Sequence, residues 1–279
     1  MNNIIDGKLM SKKIREELKE KLSKENITPS LAVIKVGNNK ASEIYVRNKE
    51  KACKEVGINF IGINFPEEIS EDTVINEIER LNNDISVNGI LVQLPLPSSF
   101  DSGYIINKID PVKDVDGLTY TNVGNLALEN ECLVSCTPLG VIELLKMHNV
   151  DLKGKNACIV GRSNLVGKPL IQLLLQNDAT VSVCHSKSKD IKEYTRRADI
   201  LIVAVGHPNL ITKDMVKEGA IVIDVGINKG ENTLCGDVDF ESVSKKASLI
   251  TPVPGGVGPM TIASLLKNVV KAYEIQHRK

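Results

Sequence analysis

The feature that most constrains this chain is a strand, a glycine turn and a helix start between residues 155 and 169. Asn156-Ala157-Cys158-Ile159-Val160 has the short apolar run of a buried strand. Gly161-Arg162-Ser163 interrupts it, and Val166-Gly167-Lys168-Pro169 opens a second apolar run over 170–175 that reads as a helix. A strand that ends in glycine and feeds a helix gathers backbone N–H groups and the positive end of a helix dipole at one point, which favours an anion, usually a phosphate. Gly161 permits the tight turn and Gly167 lets helix and strand pack closely. The spacing departs from the usual dinucleotide fingerprint, because Ser163 stands where the middle glycine would be. Alone, the turn fits either a nucleotide site or an ordinary βα connection.

The next sixty residues narrow the choice. Residues 180–184, 199–205 and 220–225 read as further strands with helical segments between them, and Gly206 and Gly226 end the last two. Strands alternating with helices imply a parallel sheet with right-handed crossovers, which binds ligands at the carboxyl ends of its strands. An NAD site usually places Asp or Glu after the second strand. Here the strand runs into His185-Ser186-Lys187-Ser188-Lys189, with no acid before Asp190. Arg162 and these cations suit a 2′-phosphate, so NADP is expected over NAD. The other reading leaves Lys187 and Lys189 as solvated loop charges.

The length of 279 residues suggests two domains, 1–121 and 122–279, with the last helix, about 262–279, packing back on the first. Thirty-five basic residues balance 35 acidic ones, which argues against a general nucleic-acid footprint. No apolar run approaches the ~20 residues of a membrane span, and the N-terminus lacks the regions of a signal peptide. Six scattered cysteines without a Cys-x-x-Cys pair suggest reduced thiols in the cytoplasm, and four histidines without ligand spacing make a metal site unexpected.

In the N-terminal half, residues 8–25, 41–56 and 71–82 read as helices and 31–36, 58–65 and 89–94 as strands. In the second helix Ala41, Tyr45, Lys49, Ala52 and Val56 share one face, while Glu43, Arg47, Glu50 and Lys54 share a solvated one. A lysine on an apolar stripe is costly unless paired and should lose affinity for its proton, which makes Lys49 a candidate acid, base or electrophile. The alternative is that it snorkels to the rim without chemistry. Gln93 interrupts the apolar third strand at its ligand-binding end, either as a ligand contact or as a satisfied core amide. Asp116-Gly117 closes a turn-rich loop with three acids. Residues 251–261, Thr-Pro-Val-Pro-Gly-Gly-Val-Gly-Pro-Met-Thr, form a rigid loop whose backbone can approach a ligand, with Thr261 expected to cap a final helix from 262.

Together these stretches resemble one family, the bifunctional methylenetetrahydrofolate dehydrogenase/methenyltetrahydrofolate cyclohydrolases. The resemblance rests on Ser42-Glu43-Ile44-Tyr45-Val46-Arg47-Asn48-Lys49, residues 89–97, Lys113-Asp114-Val115-Asp116-Gly117, Gly161-Arg162-Ser163 with Val166-Gly167-Lys168-Pro169, His185-Ser186-Lys187, and residues 251–261. It spans nearly the whole chain, and mild departures such as Lys40, Ser188 and His207 touch none of the supposed chemistry. It implies two α/β domains, the C-terminal one a Rossmann-type parallel sheet, with a cleft between them for the folate. It implies Lys49 as the catalytic lysine, Tyr45 along the folate ring, Gln93 supporting Lys49, and Asp116 at the pterin end. Val92, Leu94, Pro254, Gly255, Gly256, Gly258 and Pro259 would line the substrate. Gly161, Arg162, Ser163, Ser186 and Ile227 would hold NADP. It further implies tetrahydrofolate derivatives as substrates, a homodimer through the cofactor half, and no nucleic-acid or membrane partner. A short-chain dehydrogenase also uses Tyr-x-x-x-Lys, but after its nucleotide turn, whereas Tyr45 and Lys49 precede Gly161. A nucleotide-sensing module without catalysis is the remaining rival, and it would have no reason to bind folate.

Overall fold

Two parallel sheets organise the chain, and the computed structural model describes residues 3–229 and 234–278. Packing divides the chain into two units: one built on Lys12–Cys136 with the chain from Ile262 onward, the other on Thr137–Thr261 with the chain up to Ser11. The division falls at 136/137, later than 121/122 and inside the stretch from 118 to 137 to which the sequence confines the boundary. Residues 122–136 go with the first unit because Asn122 ties them there: its Nδ2 donates to Asp114 at 2.9 Å and its Oδ1 accepts the Leu133 N–H at 3.3 Å.

The first unit carries α1 (Gly7–Glu25, from Lys12 on), β1 (Ser30–Val36), α2 (Lys40–Val56), β2 (Asn59–Phe65), α3 (Glu71–Asn83) and β3 (Gly89–Val92). Its sheet has the order β2-β1-β3 and is parallel throughout. The central strand β1 is buried at every position, as expected for a parallel strand covered on both faces. Asn39 opens α2 by accepting the Ala41 and Ser42 N–H groups, and Gly57 closes it at φ +91°. β3 is shorter than its apolar run suggests. It stops at Val92, although the Gln93 N–H still donates to Ile34 at 2.8 Å, and Pro95 has no N–H to carry the ladder further. Two short helices, α4 (Ser102–Ile106) and α5 (Tyr120–Ala127), lie in stretches too brief to show a period and are recognisable by the caps Asp101 and Thr119.

The second unit follows with α6 (Cys136–Met147, from Thr137 on), β4 (Asn156–Val160), α7 (Gly167–Leu175), β5 (Thr180–Cys184), α8 (Lys192–Thr195), β6 (Ile200–Val203), β7 (Ile221–Asp224), the hairpin β8 (Asn228–Lys229) and β9 (Leu234–Cys235), α9 (Phe240–Val243), β10 (Leu249–Ile250) and the start of α10 (Val257–Gln276), which from Ile262 on belongs to the first unit. The main sheet has the order β10-β7-β6-β4-β5, parallel throughout. This is the doubly wound arrangement expected from alternating strands and helices. The edge strand β10 has only two residues, too few for a sequence pattern. The final helix also differs from expectation. It begins at Val257, so Thr261 lies inside it and its hydroxyl donates back to the Val257 carbonyl at 3.4 Å. Pro259 does not prevent this, because a first-turn residue needs no helical N–H.

The glycine turn is as tight as its sequence suggests. A Cβ on Gly167 would stand 2.4 Å from the Gly161 carbonyl oxygen and 2.7 Å from the Arg162 Cα, and Gly161 itself has φ +130°. Gly124, by contrast, lies inside α5, where an added Cβ would meet nothing within 4 Å. Two Gly→Ala substitutions should therefore have opposite signs. Gly167→Ala is expected to destabilise by about 2–4 kcal/mol through overpacking against backbone. Gly124→Ala should stabilise by about 0.5–1 kcal/mol through helix propensity. Urea midpoints of the two variants check both; equal shifts would contradict the packing described.

Candidate active site and dinucleotide turn

The N-terminal half of α2 is not the dry stripe that its spacing suggests. Ala41 is exposed and Tyr45 is 43% exposed, while Ser42, Lys49, Ala52, Cys53 and Val56 are buried. The stripe closes over only from Lys49 onward. The Lys49 ammonium donates to Gln93 Oε1 at 2.9 Å. Gln93 turns its other end to the backbone, its Nε2 donating to the Leu94 carbonyl at 2.8 Å, which fixes which amide atom faces the lysine. Of the two readings of Gln93, this is a half-buried amide engaged with the lysine, not one lost in the core. Val92 is buried in the hydrophobic core, so only its backbone can meet a ligand, while Leu94 is half-buried.

Burial drives the Lys49 pKa below its ordinary value of 10.5, and the charge of Asp116 opposes the fall; the nearby thiols of Cys136 and Cys53 feel the same burial. The two thiols respond in kind: burial pushes Cys53 up to about 12 and raises Cys136 well above its ordinary value. Both therefore stay protonated and inert as nucleophiles at neutral pH. Lys49 and the carboxylate of Asp116 are the charged groups of this cluster.

Asp116 owes its place to residues that the sequence does not single out as functional. Lys113, buried, donates to the carbonyls of Leu81, Asn82 and Asp84 at 3.0, 2.8 and 2.8 Å, so it closes the C-terminal end of α3. Asp114, also buried, accepts from the Thr119 N–H at 2.8 Å and from Asn122. The Ile90 N–H binds the Lys113 carbonyl at 2.7 Å, which seats the loop on β3. From α10, Asn268 donates to the carbonyls of Val115 and Val134 at 2.8 and 2.7 Å. Of the three acids in this loop, one is thus a structural anchor and another, Asp116, sits half-buried beside the lysine.

In the second unit the turn after β4 places Gly161 in the core and leaves Arg162 and Ser163 exposed. The Ser163 hydroxyl accepts the Val166 N–H at 3.2 Å, and α7 opens at Val166 without a side-chain cap. After β5, His185-Ser186-Lys187-Ser188 form a turn closed by the Ser188 N–H on the His185 carbonyl at 2.8 Å, with Ser186 and Lys187 exposed. Ile227, 47% exposed, follows β7. The turns after β4 and β5 carry cations and hydroxyls without a carboxylate, a donor set that fits a phosphate-bearing nucleotide. The Pro/Gly loop belongs to this same unit. It contains the cis Val253–Pro254 bond, the Gly255 carbonyl accepts the Lys8 N–H at 3.1 Å, and Pro254 is exposed while Gly255, Gly258 and Pro259 are half-buried and Gly256 is buried. Lys49, Gln93 and Asp116 are thus brought together in one unit, and Gly161, Arg162, Ser163, Ser186, Ile227 and the Pro/Gly loop in the other. Among the described residues no group of three or more His, Cys, Asp or Glu could hold a metal ion, and no helix is long and apolar enough to cross a membrane.

A depressed lysine pKa has consequences for stability. Between that pKa and 10.5 the unfolded chain binds a proton at Lys49 that the folded chain does not, so stability rises with pH across this window. Below it, the buried charge is a standing penalty. Lys49→Met should remove both the penalty and the rise, making the protein about 1–2 kcal/mol more stable at neutral pH. Denaturant titrations of both proteins at several pH values test this; a less stable variant would contradict a strained ammonium.

Residues 5–116 match the model of the tetrahydrofolate dehydrogenase/cyclohydrolase catalytic domain, and residues 135–277 match the model of that family's NAD(P)-binding domain. A bifunctional protein FolD from Agathobacter rectalis is 55% identical over 276 residues, covering 98% of this chain and 99% of the relative. The crystal structure of the bifunctional enzyme FolD from Campylobacter jejuni is 54% identical with a TM-score of 0.95, covering 98% of each chain. The Trypanosoma brucei methylenetetrahydrofolate dehydrogenase-cyclohydrolase, solved with NADP cofactor and an inhibitor, is 37% identical with a TM-score of 0.94, covering 99% of this chain and 98% of that one. With both domain models matched and relatives above half identity along nearly its full length, the chain belongs to the tetrahydrofolate dehydrogenase/cyclohydrolase family.

Proposed function

We propose that this chain oxidises 5,10-methylenetetrahydrofolate with NADP and hydrolyses the resulting 5,10-methenyl cation to 10-formyltetrahydrofolate. Family membership supports both activities, and the observation that carries the residue assignment is the buried Lys49 ammonium held on Gln93 beside Asp116. When bound, NADP accepts a hydride from the one-carbon bridge. In that step the protein's residues orient and exclude water. In the hydrolytic step water adds to the methenyl carbon, a proton leaves, and the ring opens. Lys49, inclined by burial to give up its proton, takes the proton of the attacking water, and Gln93 holds the Nζ atom in place while it does so. Asp116 holds the pterin end, and the exposed Tyr45 one turn before Lys49 offers a flat face for the folate ring. Exposed Arg162, with Ser163 and Ser186, binds the phosphates, and the absence of a carboxylate after β5 favours NADP over NAD. The Pro/Gly loop supplies backbone contacts to the substrate.

A homodimer through the cofactor unit accords with β5, which ends the main sheet with half-buried Val181, Ser182 and Val183. A cytoplasmic location accords with six free cysteines.

Supplied with 5,10-methylenetetrahydrofolate and NADP, the protein should produce NADPH with little methenyl absorbance accumulating. Failure with both NADP and NAD would overturn the dehydrogenase assignment. Lys49→Ala should lower cyclohydrolase turnover of supplied methenyl substrate by ~10²–10⁴-fold while NADP binding persists. In the wild type, enzyme-dependent hydrolysis should climb with pH through a midpoint below 10.5 as Lys49 loses its proton. Arg162→Ala should raise the NADP KM about 10–100-fold, the worth of one charge-assisted hydrogen bond, and leave cyclohydrolysis nearly unchanged.

A further inference from the structure

Two buried carboxylates in the cofactor unit take no part in this chemistry. Asp237, wholly buried, follows β9. Its Oδ2 accepts the N–H groups of Val205 and Gly206 at 2.7 and 3.0 Å, and its Oδ1 accepts the His207 N–H at 2.8 Å and Asn228 Nδ2 at 2.9 Å. Three successive backbone N–H groups pointing at one spot make an anion-binding concavity, and this one lies at the carboxyl end of β6. The chain fills it with its own carboxylate. Asp224, at the end of β7, repeats the device one layer deeper. Its Oδ1 accepts the N–H groups of Gly226 and Asp237 at 3.0 Å each, its Oδ2 accepts that of Val238 at 2.9 Å, and its own N–H donates to the Thr251 hydroxyl at 2.7 Å.

The two acids thus join four segments that are remote in sequence: the turn after β6, the turn after β7 that carries Ile227, the strand-like return through Val238, and the start of the Pro/Gly loop at Thr251. Glycines make room for them. A Cβ on Gly226 would stand 2.3 Å from the Asp237 Cγ, and one on Gly236 would stand 1.8 Å from Asp224 Oδ2. A satisfied buried carboxylate with four donors is a rigid post, whereas replacing one of its oxygens by a donor leaves some of these N–H groups without an acceptor.

We propose that Asp237 is a positioning residue for the dinucleotide: by occupying the amide concavity after β6 and holding Asn228 beside Ile227, it fixes the strand-end turns against which NADP lies, with Asp224 as its support. This rests on the assignment of NADP to this unit. Asp237 does not touch the cofactor, so its loss shows in affinity and not in the hydride step itself.

The test uses Asp237→Asn in the full-length protein, with direct NADP titration by calorimetry and steady-state kinetics. Asparagine keeps one acceptor but turns a donor toward the backbone N–H groups. The expected result is a 10–100-fold rise in the NADP Kd and KM, with kcat at saturating NADP within about twofold of wild type and cyclohydrolase turnover of supplied methenyl substrate likewise retained. Partial unfolding would instead lower kcat and cyclohydrolysis together and would not be rescued by saturating NADP. An unchanged NADP Kd in a folded Asp237→Asn protein overturns the proposal. Should that variant not fold, Asn228→Ala, which removes one of the four donors, decides it: a several-fold rise in NADP Kd supports the proposal and an unchanged value overturns it. A wild-type protein that binds no NADP refutes the cofactor assignment and the proposal together, whereas tight wild-type binding with an indifferent Asp237 variant refutes the proposal alone.

Discussion

The strands of a parallel sheet run one way, so their carboxyl ends gather on one side, and Gln93 and the glycine turn lie just beyond such ends. Strands running in one direction end together, and beyond the last ladder bond their amides and carbonyls must find something other than a strand. The chain answers differently at each strand end. After β4 the Gly161 N–H donates to the Cys184 carbonyl at 2.9 Å and the Val166 N–H to the Ser163 hydroxyl at 3.2 Å. After β6 they are closed internally by Asp237. After β7, Asp224 folds back on Gly226. At the end of β1 the buried Lys35 donates to the Gly37 carbonyl at 3.0 Å. The strand ends are therefore closed by different groups, and the turn after β4 is the one that leaves a cation and a hydroxyl residue, Arg162 and Ser163, exposed.

The catalytic unit works the opposite way. A lysine ammonium is costly to bury, and the chain offers it one amide oxygen and a nearby carboxylate without a tight ion pair. A close carboxylate contact would stabilise the charge and hold the proton in place. A neutral amide acceptor positions the nitrogen while doing little to keep it protonated. The rigid support for this arrangement lies further out, where Lys113, Asp114, Asn122 and Asn268 satisfy backbone groups and determine where Asp116 stands. Charge is used freely for structure where it is fully satisfied and sparingly where it must change.

How much of this is legible in the sequence depends on the range of the interactions involved. The glycine turn is local, so Gly161 and Gly167 can be read directly. Lys49 is legible as a buried lysine because its neighbours at four-residue steps are apolar, yet the same stripe misplaces Tyr45, since periodicity gives a face and not what covers it. The start of α10 is hidden because Pro259 and three glycines in residues 251–261 resemble a loop, and only geometry shows that a proline in a first turn breaks nothing. Asp116 carries little signal of its own. Its loop is held by Asn268, whose partners Val115 and Val134 lie 153 and 134 residues away, and no local pattern encodes such a contact. Asp224 and Asp237 are invisible for the same reason. The family resemblance reaches Asp116 because it draws on the chain as a whole.

The two sites make different demands on substitution because they use different parts of the residue. The dinucleotide turn is built from backbone, so what matters there is the absence of a Cβ at Gly167 and the presence of an acceptor behind the turn after β6. Such a site fails when the main chain shifts, even where the exposed Arg162 and Ser163 are left in place. The lysine site is built from side chains on α2, β3 and the loop after Lys113, and its main chain is held by ordinary caps and ladder bonds. It depends on the polarity around one nitrogen, which Gln93 and Asp116 set. Because the two demands fall on separate units of the chain, affinity for the cofactor and basicity of the lysine can vary independently, and a chain of this design can adjust the balance of its two reactions without rebuilding either sheet.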